Sequence, residues 1–228
     1  RASKVTVMED GILMAPAPYS APSAYYSPTT GRMAAIEILK GSSQVKYGPH
    51  TTGGAINYLS TRIPSSEKVY SKSSFGMFNE IRNHTYFGNT EQLASGKFGY
   101  LIEYYKRSNT GFKELDTNPV VRDSAEADTG FSKSEPMVKI FFEPKSNLYQ
   151  RIEAKFGYTN LDANETYTGI TNADFRANPN RRYLGSRFDE IETTQFRQHI
   201  RHFIEFNPKT SLVTTAYGNT FNRNWQKL

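Results

Sequence analysis

The sequence predicts an all-β chain. About seven antiparallel strands, each with an apolar and a polar face, would form part of a transmembrane β-barrel, preceded by a smaller glycine-punctuated domain. Three observations predict this. Aromatic residues make up 14% of the 228 residues, with 15 Tyr and 15 Phe, while charged residues still reach 22%. No apolar run approaches the roughly 20 residues of a membrane-spanning helix, and the mean hydropathy of −0.64 resembles that of a water-soluble chain. A wall with one lipid face and one wet face averages to such a value, because apolar and polar residues alternate along it. The other two observations are a period-2 pattern that recurs along the chain and an alternation of short and long connections.

Val5–Met8 reads as a short strand, Glu9-Asp10-Gly11 as its turn, and the segment carrying Pro16, Pro18, Pro22 and Pro28 as a loop. Two apolar runs follow, Ile36–Leu39 and Ala55–Leu59, joined by a segment with Gly41, Gly48, Pro49, Gly53 and Gly54. This is strand, tight connection, strand, because glycine supplies the positive φ that other residues resist. We expect Gly41, Gly48, Gly53 and Gly54 to hold turns rather than touch a ligand. Composition shifts at Ile63-Pro64-Ser65-Ser66, which places a domain boundary between 1–64 and 65–228.

Beyond that boundary the pattern predicts strands near 67–78, 83–90, 97–107, 134–143, 148–160, 193–206 and 210–223. The clearest lies at 149–159, where Arg151, Glu153, Lys155 and Thr159 oppose Ile152, Ala154, Phe156 and Tyr158. Val138, Ile140 and Phe142 oppose Lys139 and Glu143. Phe98, Tyr100, Ile102 and Tyr104 oppose Glu103, Tyr105 and Arg107. Ile200, Ile204 and Phe206 oppose Arg197, His199, Arg201 and Glu205. Segments 143–147 and 207–210 are short turns, whereas 108–133 and 161–192 are long and irregular. Outer-membrane barrels show that asymmetry between periplasmic turns and extracellular loops. The hairpin through Asn79–Arg82 is the exception, a short connection where a long one is expected. Plugged barrels have about 22 strands, so seven are expected to be a fragment.

The net charge of +6 fits either a solvated surface or an anion-attracting interior. Lys and Arg are spread along the chain without a basic run, so no nucleic acid is expected. Cysteine is absent, which excludes disulfides and thiolate metal sites. His199 and His202, three apart in a strand, point to opposite faces, so no metal site is expected there. His50 and His84 are isolated. The glycine-rich segment lacks the Gly-Lys-Ser/Thr of a phosphate loop and enters a strand rather than a helix. No nucleophile–base spacing emerges, so an enzyme is not expected, nor is a cofactor. No stretch near Arg1 has the order of a signal peptide.

The run Ile36-Glu37-Ile38-Leu39-Lys40-Gly41, followed by Tyr47-Gly48, Gly53-Gly54 and Ile56-Asn57, resembles the conserved end of the plug domain in TonB-dependent outer-membrane receptors. Asp10-Gly11-Ile12, with Ala17-Pro18-Tyr19 and Pro22, is similar to the ferric-citrate branch of that family. The stretch from Gly169 to Tyr183 resembles a third-outer-loop motif of related receptors.

The resemblance implies the C-terminal part of an α/β plug over 1–64 and the first barrel strands over 65–228. It implies active import of a ferric chelate across a bacterial outer membrane, in contact with outer-membrane lipid and energised by the TonB–ExbB–ExbD complex. Cobalamin, another metal chelate or an oligosaccharide are alternative cargoes. A soluble β-protein that binds a partner or polysaccharide is the rival from another class. It predicts that Ile140, Ile152 and Phe156 pack in a buried sandwich core. For a bulky anionic chelate, arginine forks are the suited chemistry. The resemblance places candidate contacts at Tyr19 and Ser20 in the plug-apex loop, at Arg176, Arg181 and Arg182 in a basic third loop with Arg187, and at Arg223 near the outer end of the last strand. At Ala21 the chain departs from the branch, which carries a ligand-contacting glutamine there.

Overall fold

The computed structural model describes residues 5–14, 28–42, 47, 51–116 and 128–227. Four strands form a first sheet: β1 (Thr6–Glu9), β2 (Ile12–Leu13), β3 (Met33–Leu39) and β4 (Ala55–Ser60), in the order β2-β1-β4-β3. β1 and β4 run parallel, whereas β1–β2 and β3–β4 are antiparallel. The parallel pair needs a crossover, which the β3 segment helps supply. The predicted turn sits at Asp10 and Gly11, both with left-handed φ, 53° and 79°. Gly41 and Gly54 also have positive φ, 78° and 119°. Gly48 lies outside the described residues.

The second sheet has seven antiparallel strands in sequence order. They are β5 (Lys68–Gly76), β6 (Glu80–Leu93), β7 (Gly96–Asn109), β9 (Phe131–Pro144), β10 (Tyr149–Asn164), β12 (Glu190–Asn207) and β13 (Thr210–Gln226). All seven predicted strands are present, and several run three or four residues further at the ends joined by the long connections. Between them, β8 (Glu114–Leu115) pairs in parallel with β11 (Arg181–Arg182), and a short helix, α1 (Asn172–Ala177), precedes β11. Thr171 caps that helix, its hydroxyl accepting from the Asp174 amide.

Burial along the wall is inverted relative to a soluble sheet. Ile140, Ile152 and Phe156 are 39%, 43% and 41% exposed, whereas Lys139, Lys155 and Arg197 on the opposite face are at most 6% exposed. The apolar residues face outward and the charged ones face the first sheet. A soluble sandwich is therefore not what this sheet builds.

The outward face is ordered in rows across the strands. Tyr100, Ile140, Ala154, Ile200 and Ala216 share one row. Ile102, Val138 and Phe156 lie in the row toward the long connections, and Phe98, Phe142 and Ile152 in the row toward the short turns. Tyr104 and Tyr158, opposite Pro136 and Phe196 respectively, close the belt on one side. Beyond them the outward residues turn polar: Lys106, Ser134, Asn160, Thr194 and Asn222. The four rows span about 20 Å along the strands, which at the usual tilt is about 15 Å of height, a large part of the roughly 25 Å apolar band of a barrel with an aromatic girdle at its edge.

Candidate functional site

The first sheet meets the inward face of the wall through a buried layer of charge. The Asp10–Gly11 turn is held by its own sheet: the Gly11 amide donates to Asn57 Oδ1 (2.8 Å), and the Ser60 amide and hydroxyl donate to the Asp10 carboxylate. Glu9, at the end of β1, is 2% exposed. Arg32, on a 3-10 turn over Thr30–Arg32, donates to both Glu9 oxygens at 2.9 and 2.8 Å. Its Nε reaches across to Glu135 on β9 at 3.2 Å.

From the wall, Lys155 donates to Glu9 (2.5 Å), Asp10 (2.6 Å) and Ser60 (3.0 Å). Lys139 donates to the Thr61 carbonyl at 2.9 Å, and Lys133 to the Thr29 hydroxyl at 2.5 Å. Thr159 bridges Glu135 and Arg197. Glu103 accepts from the Thr61 hydroxyl and lies 2.5 Å from His84 Nε2. Gly31 lies so close to the wall that a Cβ there would sit 2.3 Å from the Tyr105 hydroxyl.

Burial alone would raise the Glu9 carboxyl, but Arg32, then Lys155 and Arg197, hold it well below its ordinary value of 4.5. Burial pushes Asp10 the same way, and Lys155 and Lys139 bring it below its ordinary 3.8. Burial would lower Arg32, and Glu9 and Glu135 carry it upward instead. All three are ionised and mutually compensated, which is the condition for charge to persist out of water.

Cavities lie on both sides of this layer. Toward the short turns, a cavity of about 710 Å³ opens between the underside of the first sheet and the wall, bordered by Arg62, Lys139, Arg151, Glu153, Arg201 and Thr215. Toward the long connections, a recess of about 480 Å³ is lined by Lys113, Phe131, Thr166, Tyr167 and Trp225. A charged layer thus lies between two recesses on the inward side of an apolar-coated wall. Among the described residues no group of three His, Cys, Asp or Glu could hold a metal ion.

No protein-family model matches the sequence. Among solved structures, the chain overlays the unliganded ferric citrate transporter FecA with a TM-score of 0.76 at 19% identity, over 98% of this chain and 32% of that one. It overlays the ferric yersiniabactin uptake receptor FyuA from Yersinia pestis at 0.70 and 15% identity, over 98% and 33%. The siderophore receptor PiuA from Acinetobacter baumannii follows at 0.63 and 12% identity, over 98% and 30%. The chain has the fold of these receptors. It spans about a third of their length.

Within that receptor fold, the sequence-chosen residues fall in different settings. Tyr19 and Ser20 lie outside the described residues. Arg176 is exposed on α1. Arg181 is engaged in a clasp between two connections: its Nε and Nη2 hold Asp116 at 2.8 and 3.0 Å, and its Nη1 holds Asp174 at 2.5 Å. Tyr183 also donates to Asp174. These hydrogen bonds, with that of Arg181, lower the Asp116 and Asp174 carboxyls. Arg182 turns to the Pro179 and Arg181 carbonyls, and the Arg187 guanidinium lies 4.4 Å from the Phe188 ring centroid. Arg223 is opposite Thr193, on the inward face near the end of β13, with its guanidinium 5.2 Å from the Trp225 ring centroid. The structure thus brings Arg181 and Arg182 together but places Arg223 on the wall below them.

Sequence reasoning gave no role to Glu9, Asp10 and Arg32. Glu9 and Asp10 read as turn residues, and the partners of Arg32 lie far along the chain. Their one local signal was the set of wall cations on the polar face of β10, which require anions opposite them.

Proposed function

We propose that the chain is part of an outer-membrane receptor that imports a ferric chelate of the ferric-citrate kind. In this reading residues 1–64 are the C-terminal part of the plug and 65–228 the first barrel strands. The observation that carries it is the inside-out wall: apolar outside, charged inside, and clamped on a four-stranded sheet in the fold of FecA. The belt of Tyr100, Ile140 and Phe156 faces lipid, the short turns face the periplasm and the long connections face outward.

The cargo is recognised above the ionic layer, where Arg176 and Arg223 offer guanidinium forks to carboxylates on the chelate and Arg181 and Arg182 exchange their present partners for them; Tyr19 and Ser20 join them as the resemblance implies. TonB–ExbB–ExbD supplies the work that displaces the plug. No bond in the cargo is made or broken, so the protein acts as a receptor and not as an enzyme.

The test is uptake of radioiron chelates by iron-limited cells with and without the gene. We expect loss of uptake for one anionic chelate and full recovery on complementation. Undiminished ferric uptake with lost cobalamin or oligosaccharide uptake would move the reading to that other cargo.

A further inference from the structure

The cavity on the short-turn side of the ionic layer has a chemistry of its own. Four cations border it, Arg62, Lys139, Arg151 and Arg201, against two carboxylates, Asp10 and Glu153. Both carboxylates are already taken: Asp10 by Lys155, and Glu153 by Arg151 at 3.1 Å. Arg201 is different. Its Nη2 donates to the Asp10 backbone carbonyl at 2.7 Å and its Nε to the Thr215 hydroxyl at 3.4 Å, so both acceptors are neutral oxygens. Arg62 is exposed and makes no ion pair among the described residues.

We propose that this cavity is a second anion site, on the periplasmic side of the plug, which takes a compact polycarboxylate anion on Arg201 and Arg62. As a station for the cargo it rests on the import reading above. Arg201 is the hinge of the argument, because it bonds the backbone of the very turn whose carboxylate anchors the plug to Lys155. A plug movement that withdraws the Asp10–Gly11 turn removes the Arg201 acceptor and leaves a guanidinium bordering the cavity. An arriving carboxylate then replaces a neutral carbonyl with a charged acceptor, and charge-assisted bonds are roughly twice as strong. The site is thereby weak while the plug is seated and strong once it has moved. That ordering draws an anion inward and not back.

These 228 residues carry no cysteine, so Thr215→Cys is a single reporter once any cysteine in the rest of the full-length protein is replaced by serine. Thr215 is directly opposite Arg201 across β12 and β13. In the full-length receptor carrying Thr215→Cys, modification rates by an anionic and a cationic methanethiosulfonate are compared. We expect the anionic-to-cationic rate ratio to fall by about tenfold when Arg62→Gln and Arg201→Gln are added, and to be kept by Arg62→Lys with Arg201→Lys. An unchanged ratio overturns the proposal. In cells, the same glutamine pair should leave de-energised chelate binding at the surface intact and slow energised uptake about tenfold. Normal uptake overturns the station, and so does equal loss in the lysine pair. A receptor that shows the charge-dependent ratio but imports no ferric chelate would refute the import reading and leave the anion site standing.

Discussion

Arg32 and Arg181 make the same bond in opposite surroundings. Each holds a carboxylate with two guanidinium nitrogens and reaches a second acid with the third, Glu9 and Glu135 for Arg32, Asp116 and Asp174 for Arg181. The Arg32 side chain is 1% exposed, whereas that of Arg181 is 38% exposed. The buried cluster joins two sheets, and removing any member strands charge out of water. The exposed cluster joins two surface connections, where water can replace either partner. The same two-plus-one sharing of acids, end-on in Arg32 and side-on in Arg181, therefore serves as a structural clamp in one place and as an adjustable clasp in the other.

The largest effect expected from this contrast is that of Arg32→Met in the full-length protein. It removes the buried guanidinium that Glu9 and Glu135 share, at a cost of about 3–5 kcal/mol. Amide exchange in β1 and β4 should accelerate strongly, and unchanged protection would erase the distinction between the two clusters. Next comes Gly31→Ala, whose methyl would meet the buried Tyr105 ring at 2.3–2.8 Å. We expect about 1–3 kcal/mol of destabilisation, read as earlier protease release of the first sheet and partly reversed by Tyr105→Ala.

Arg181→Ala should be milder, as for exposed pairs. Exchange should rise only around 114–116 and 171–183, with the melting temperature nearly unmoved. If chelate binding drops about tenfold in that variant while stability holds, Arg181 gains a role as a cargo contact. The smallest effect is that of pH between 8 and 5. Glu9 and Asp10 are both held below their ordinary values of 4.5 and 3.8, so their contribution is complete above that range and is lost as pH falls below it. Protection of β1 should stay flat down to pH 5 and begin to fall as pH drops below those ordinary values. A fall already at pH 6 would place a histidine, not these carboxylates, in control.

The wall was legible because alternation is a local signal. Ile152, Phe156 and Tyr158 against Arg151, Lys155 and Thr159 reveal the strand and its two faces, while which face points inward is read from the burial. The ends were less legible. Above the belt the two faces exchange chemistry, with Asn160, Asp162 and Asn164 outward and Leu161 and Ala163 inward, so the pattern that marks the strand is lost while the backbone pairing continues. The helix at Asn172–Ala177 was missed within the segment read as irregular, although Thr171 and Asp174 stand at capping-box spacing. Of the site, the basic third loop was visible as composition. Its clasp to Asp116 was not, because that carboxylate is 65 residues away in sequence.

Sequence distance also bears on time. The bonds of Lys155 to Glu9 and Asp10 span 146 and 145 residues, and that of Arg32 to Glu135 spans 103. Such closures are entropically late events. Glu9 and Arg32 can find each other early, 23 residues apart, but the charge they leave unbalanced has no wall to meet until β9 and β10 are paired. The first sheet therefore cannot be seated before the wall exists, and the order in which the chain is made is the reverse of the order in which its parts become fixed.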